Sequence, residues 1–290
     1  MKYSLILVIF LSLWSCKKDT DKTDAELLEE VPVAVSEDSI PQDREDIDLE
    51  KQQSIEIKQQ KLIEKEDEKD ELQELIISKN YLKEADEYTI DFKYPLLNEN
   101  IKPSYINFNE YIKDYYVDIT GTEASILEDK ALFCDTIRAN QYREKRKIDY
   151  KIYNLNDQLV SVLFYKENFY SGTLHPTYTF DCMNFDLNRS VFMNYEDFFI
   201  EGSEEDLRKI LNDILVSKVE SGEMYYDCWE ISEDDFFEYK DNFVLDDESV
   251  EYYFDDCVIC PSYTGSYSIV IPLEELLPVL KRYEVNPLVF

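Results

Sequence analysis

The feature that most constrains the fold of this chain is an alternation of apolar and polar side chains that begins after a change of composition near Tyr81. In residues 88–94 an aromatic or aliphatic side chain stands at every second position, which is the period of a β-strand with one buried face. Pro95 follows and predicts the end of that strand. The folded part of the chain is therefore expected to be built around strands.

Later segments repeat this pattern and place helices between the strands. Further strands are predicted at residues 148–152, 159–165, 178–187, 243–245, 250–254 and 266–271. Apolar residues at helical spacing predict helices over 105–119, between Ser203 and Gly222, and after Pro272. Strand pairs joined by short turns, with helices packed on them, predict an α+β fold with a mostly antiparallel sheet.

The N-terminal residues have the order of a secretory signal peptide. Lys2 precedes an apolar run at residues 5–13, which is about half of the roughly 20 residues that a membrane-spanning helix needs. Residues 13–16 read Leu-Trp-Ser-Cys and resemble the lipobox of bacterial lipoproteins. We expect residues 1–15 to be removed and Cys16 to be acylated, which would anchor the protein to a bacterial membrane. We expect this membrane to be the outer membrane and the protein to lie on its extracytoplasmic side. The alternative is a secreted protein that loses Cys16 with its signal peptide.

Residues 16–79 are predicted to form an acidic tether between this anchor and the folded part. The segment 17–50 is nearly free of aromatic residues and carries two prolines, so it buries too little surface to offset the entropy of the chain. In the segment 49–78, Glu, Lys and Gln dominate, with opposite charges three residues apart, which favours an exposed helix.

The charge of the chain narrows the choice of partners. It has 64 acidic and 30 basic residues and a formal net charge of −34. Nucleic-acid binding depends on Lys and Arg side chains that neutralise phosphates, so a nucleic-acid partner is not expected. The negative field either steers cationic partners towards the protein or serves solubility alone.

The histidine and cysteine content excludes most known catalytic machinery. His175 is the only histidine, so paired-histidine zinc motifs cannot exist, and neither a GxSxG motif nor a glycine-rich phosphate loop is present. Cys257 and Cys260 have CxxC spacing, but no second CxxC completes a zinc site, and Asp255 and Asp256 disfavour a reactive thiolate. We predict no catalytic residue, metal or cofactor. Disulfide pairing stays open among the remaining cysteines, Cys134, Cys182, Cys228, Cys257 and Cys260.

Four sequence segments, in their order along the chain, resemble a known domain pair. They are YTIDFKYPLLN at 88–98, VSVLFYKENFYSGTLHP at 160–176, NFDLNRSVFMNYEDFF at 184–199 and GSYSIVIPLEEL at 265–276. They resemble the extracytoplasmic domains of RsiV-type anti-sigma factors and the non-catalytic N-terminal region of PdaC-type peptidoglycan deacetylases. The resemblance implies a PdaC-type subdomain at 80–165, an RsiV-like subdomain at 166–290, and a domain that binds something in the envelope, which in one branch is lysozyme.

The resemblance also singles out a candidate ligand-binding loop that contains Tyr170, Gly172, His175 and Pro176. Relatives usually read Gly-Gly-Ala-His here, whereas this chain reads Ser-Gly-Thr-Leu-His. His175 either orders the loop through hydrogen bonds or contacts a ligand.

Together these observations predict a lipid-anchored cell-envelope protein that captures lysozyme or another cationic ligand. The alternative is a cell-wall domain that binds carbohydrate, or that hydrolyses peptidoglycan with a pair of carboxylates among its 64 acidic residues. A structural accessory of an envelope complex is a third reading.

Overall fold

The computed structural model describes residues 74–132 and 143–281, together with Asn286 and Leu288. The predicted signal peptide, Cys16, Cys134 and the tether up to residue 73 lie outside the described residues. Within the described ranges, no helix is both long and apolar enough to cross a lipid bilayer.

The larger of two sheets has six strands whose spatial order follows their order in the chain. All neighbours are antiparallel except β2 and β3, which pair in parallel and are joined by a helical connection. The strands are β1 (Ile76–Glu84), β2 (Tyr88–Leu97), β3 (Glu144–Leu155), β4 (Leu159–Phe169), β5 (Thr177–Asp186) and β6 (Val191–Met193).

The smaller sheet is an antiparallel meander of β7 (Phe243–Leu245), β8 (Ser249–Tyr253) and β9 (Ser268–Pro272). The helices are α1 (Ile106–Glu110), which continues as a π-helix over Tyr111–Val117, α2 (Ile119–Leu132), α3 (Tyr195–Phe198), α4 (Glu204–Ser221), α5 (Glu233–Tyr239) and α6 (Leu273–Leu276). The predicted α+β fold with a mostly antiparallel sheet is confirmed.

Strand β4 is buried on both of its faces. Val160, Val162 and Phe164 pack in the core that includes the helical connection, whereas Leu163 and Tyr165 pack towards the smaller sheet. A strand with two buried faces has no solvent side, which explains why its sequence is a continuous apolar run rather than an alternation.

Helix α4 has the predicted limits. Its first turn carries Glu204, Glu205 and Asp206, which complement the positive end of the helix dipole, and Gly222 ends it in the left-handed conformation, with φ of 79°. The predicted cap differs in one respect. The Ser203 hydroxyl donates to the Ile200 carbonyl oxygen at 2.6 Å and pairs with the Tyr195 hydroxyl at 2.7 Å, so it does not cap the helix.

Two of the differences between the observed strands and the sequence prediction have a clear physical cause. Strand β1 begins at Ile76, so residues 76–78 are strand rather than helix, because they pair with β2, where Ser78 faces Pro95. Strand β2 continues through Pro95 to Leu97. Strand β3 pairs only with Tyr88–Phe92, so Pro95 lies beyond this pairing and its missing N–H costs no hydrogen bond to β3. Strands β1 and β4 each run across a predicted domain limit, at 79/80 and 165/166 respectively.

Side chains from the C-terminal half cover the free edge of β5. Asn242 accepts a hydrogen bond from the Cys182 N–H at 2.7 Å and donates to the Phe180 carbonyl oxygen at 2.7 Å. The Asp255 carboxylate accepts a bond from the Phe180 N–H at 2.9 Å. These side chains take the place of a neighbouring strand and satisfy backbone groups that would otherwise be exposed.

The position of Asp255 at this edge has an electrostatic consequence. Burial raises the pKa of the Asp255 carboxyl to about 6, against the opposing effect of its hydrogen bond from Phe180, and the nearby Asp181 carboxylate adds to the rise. The pKa in the unfolded chain is about 4. The folded protein therefore binds this proton more tightly, and the contribution of Asp255 to stability is present below about pH 4 and is lost as the pH rises through 6.

Replacing Asp255 with Asn is expected to remove this pH dependence. At pH 7 the variant should gain about 1–2 kcal/mol in free energy of unfolding, a figure reduced for the solvent exposure of the group, and the gain should shrink towards pH 4. Urea denaturation at a series of pH values measures this difference. The exposed turn variant Asp157→Asn is the matched control, and equal pH slopes for the two variants would contradict the assignment.

Candidate functional site

The four residues of the predicted loop lie together in the connection between β4 and β5. Tyr170, Gly172 and His175 are exposed, and Pro176 is half-buried. The Thr173 N–H and hydroxyl both donate to the Tyr170 carbonyl oxygen, at 3.1 and 2.8 Å, and close a tight turn. This turn requires the left-handed conformation of Gly172, with φ of 88°.

A buried ion pair supports this loop from below. The Arg146 guanidinium donates to the Glu144 carboxylate at 2.7 Å and to the Phe169 carbonyl oxygen at 3.1 Å. Glu144 and Arg146 are only 1% and 7% exposed. The guanidinium also lies 4.0 Å from the centre of the Tyr170 ring, a cation–π contact that fixes the ring at the base of the loop.

The tip of the loop, at Leu174 and His175, faces outward. His175 is exposed, and among the described residues its imidazole forms no ion pair with a carboxylate. Leu174 beside it is 84% exposed. Within the described ranges no cluster of three or more His, Cys, Asp or Glu side chains is arranged to hold a metal ion. The loop can therefore present an aromatic ring, an imidazole and an apolar side chain to a partner.

A second exposed surface surrounds the disulfide between Cys228 and Cys260, and the sequence analysis did not single it out. We call it the aromatic surface; it consists of four exposed aromatic side chains, Tyr225, Tyr226, Trp229 and Tyr263. The rings of Tyr225 and Tyr263 meet edge to face, with their centres 6.2 Å apart.

The segment that carries these rings is held at several points. Met224 is buried, and its N–H donates to the Lys218 carbonyl oxygen at 3.0 Å. The Trp229 N–H donates to the Ile259 carbonyl oxygen at 3.0 Å. The buried Ile231 donates its N–H to the Asn212 side-chain oxygen at 2.8 Å. With the disulfide, these contacts keep the backbone ordered while the aromatic side chains stay in solvent.

The electrostatics of this segment are uniform in sign. Between Lys218 and Lys240, every charged side chain is a carboxylate: Glu220, Glu223, Asp227, Glu230, Glu233, Asp234, Asp235 and Glu238. The Tyr263 hydroxyl donates to the Asp227 carboxylate, and this bond raises the pKa of Tyr263 to about 12. Exposed rings in a segment whose charges are all negative form a surface that attracts cations.

The structure also answers the question of cysteine pairing for the described residues. Cys228 pairs with Cys260, so the two cysteines of the CxxC spacing are not bonded to each other, and Cys182 and Cys257 are free. Burial raises the pKa of the Cys182 thiol. Cys257 is exposed and has a φ of 65°, in the left-handed region.

Comparison with known proteins finds similarity of structure but not of sequence. No protein-family model matches the chain, and no curated protein is similar to it in sequence. A DUF3298 family member from Bacteroides fragilis is 19% identical, with a TM-score of 0.47, over 71% of this chain and 92% of that chain. A DUF3298 family protein from Pseudomonas aeruginosa is 14% identical, with a TM-score of 0.50, over 71% of this chain and 93% of that chain.

The similarity to the Pseudomonas protein concerns the fold alone. At 14% identity, the Pseudomonas protein indicates a shared architecture and transfers no activity or ligand. The DUF3298 family is related to the RsiV- and PdaC-type domains, so the predicted resemblance is confirmed at the level of the fold.

Proposed function

We propose that this chain, which shares its fold with a DUF3298 protein, is a lipid-anchored binding protein of the bacterial cell envelope that captures a cationic protein such as lysozyme. One observation carries the proposal: exposed aromatic rings are held by a disulfide inside a segment whose only charges are carboxylates. Rigid exposed aromatic side chains are typical of binding surfaces.

The location rests on the N-terminal sequence. The lipobox-like residues 13–16 support acylation of Cys16, and the acidic segment that precedes β1 would separate the folded part from an outer-membrane anchor. Labelling of cells with palmitate tests the anchor: the wild-type protein should carry label and the Cys16→Ser variant should not. An unlabelled wild-type protein would contradict lipid anchoring.

Charge supports a cationic ligand. A net charge of −34 should accelerate association with a positively charged protein, and this acceleration should weaken as salt screens the field. Titration of the full chain with lysozyme at low and at moderate ionic strength measures it. We expect saturable binding whose affinity falls at least tenfold between the two conditions; no saturable binding at either would exclude lysozyme as the ligand.

A carbohydrate ligand is the second candidate. Exposed tyrosine and tryptophan rings also suit stacking on sugars, and the Asp255 carboxyl, whose pKa burial raises to about 6, has the Asp181 carboxylate nearby. Sedimentation with purified peptidoglycan tests binding. Release of reducing ends that an Asp255→Asn substitution abolishes would favour hydrolysis.

A further inference from the structure

We propose that the aromatic surface is the docking site for the cationic partner, whose Lys and Arg side chains lie over the rings of Tyr226 and Trp229 between the flanking carboxylates. The inference rests on the proposed function and assigns it a location. It concerns a surface different from the loop at residues 170–176.

The exposure of these rings is a first argument. Tyr226 is 82% exposed. Met224 and Ile231 are the side chains by which this segment packs into the core, and both are buried. The backbone contacts of Met224, Trp229 and Ile231 leave the segment little freedom to turn its aromatic side chains inward. The folded state thus keeps large apolar side chains in water at a fixed place, which is the arrangement of a partner-binding patch.

The disulfide is a second argument. It joins Cys228, which lies between the exposed rings in the sequence, to Cys260, which lies three residues before Tyr263. The disulfide therefore links the two segments of the chain that carry the aromatic surface. A surface that is ordered before binding loses less conformational entropy when a partner docks.

Charge decides which partner fits. The carboxylates of Asp227 and Glu230 flank Cys228 and Trp229, and no basic side chain stands between Lys218 and Lys240. Arg208 lies near this segment, because its guanidinium donates to the Ile231 carbonyl oxygen. The same guanidinium is already paired with the Glu205 carboxylate at 2.6 Å. A second copy of this chain or an anionic lipid surface would meet like charge, whereas an ammonium or guanidinium group gains both a ring face and a carboxylate.

Another exposed tyrosine provides a matched control. Tyr115 is 78% exposed, close to the value for Tyr226, and stacks on Tyr111 in the π-helix beside Lys113. It lies outside the acidic segment. Removing the Tyr115 ring therefore tests the loss of an exposed aromatic side chain away from the aromatic surface, at a place where Lys113 stands beside Asp114.

The first experiment uses Trp229 as its own reporter. The chain has 2 tryptophans, Trp14 and Trp229, and Trp14 lies in the segment that is expected to be removed, so the processed protein reports fluorescence from Trp229 alone. Titration with an oligo-arginine peptide should change this fluorescence saturably, and an oligo-glutamate peptide should not. An unchanged signal with oligo-arginine would overturn the docking site even if lysozyme binds elsewhere on the protein.

The second experiment compares affinities for oligo-arginine and for lysozyme by calorimetry. Tyr226→Ala and Trp229→Ala are each expected to weaken binding about tenfold or more, whereas Tyr115→Ala should stay within about twofold. Tyr115 and Tyr226 are 78% and 82% exposed, so their alanine variants should melt close to the wild type, whereas Trp229 is 43% exposed and its variant is compared at a temperature at which circular dichroism shows it folded. Equal affinities for all three variants would overturn the docking site and leave the proposed function standing. Binding of oligo-arginine without binding of lysozyme would contradict lysozyme capture and leave the docking site standing.

The requirement for the disulfide is tested in a Cys257→Ser background, so that no free thiol lies three residues from Cys260. Replacing Cys228 and Cys260 with Ser should weaken oligo-arginine binding several-fold at a temperature at which circular dichroism shows the variant folded. Unchanged affinity in the folded variant would contradict pre-organisation by the disulfide.

Discussion

Replacement of Arg146 by Met is expected to lower the free energy of unfolding by about 3–5 kcal/mol, because it leaves the Glu144 carboxylate buried without its partner. Glu144 is 1% exposed, so water cannot replace the lost guanidinium. The Tyr170 ring also loses the cation that holds it at the base of the loop. Urea denaturation measures the loss.

The double variant Glu144→Gln with Arg146→Met separates the two causes. It removes the buried charge together with its partner, so most of the lost stability should return. If the double variant is as unstable as Arg146→Met alone, the packing of the arginine side chain, rather than the orphaned carboxylate, accounts for the effect.

Replacement of Asn242 by Ala is expected to lower the free energy of unfolding by about 2–4 kcal/mol. The Asn242 side chain bonds the Cys182 N–H and the Phe180 carbonyl oxygen at the edge of β5, and it also donates to the Tyr253 carbonyl oxygen at 2.9 Å. Alanine leaves these backbone groups without a partner in a half-buried place, and leaving a buried polar group unpaired costs about 1–3 kcal/mol.

The exposed Asn188→Ala variant is the matched control, and its stability should stay within about 0.5 kcal/mol of the wild type. Both variants can be followed by urea denaturation at one pH. A loss below about 1 kcal/mol for Asn242→Ala would show that water satisfies the edge of β5 and that the side-chain bonds are dispensable.

Local patterns were sufficient to predict most of the strands, although not β1 or β6, and the longest helix. Alternation in residues 88–94 and the turn at 154–157 predict β2 and the β3–β4 hairpin because the buried face of a strand repeats every second residue. The acidic first turn and the following Gly222 predict the limits of α4 for equally local reasons.

Features that depend on distant partners could not be predicted in this way. The charged start of β3 looks like a solvated strand, yet Glu144 and Arg146 are buried because they pair with each other beneath the loop after β4. The partner of Cys260 is 32 residues away, whereas the CxxC spacing points to Cys257. The aromatic surface had one usable signal, an acidic and aromatic segment without a basic residue, but a sequence does not show which rings stay exposed.

The parallel pairing of β2 with β3 bears on the order in which the molecule folds. Tyr88 lies opposite Glu144, so the first contact between these strands closes a loop of more than fifty residues, whereas β3 and β4 meet across a short turn. Loop closure over longer distances is entropically less favourable and slower. We therefore expect the β3–β4 hairpin to form before β2 docks on β3, although β2 is synthesised first.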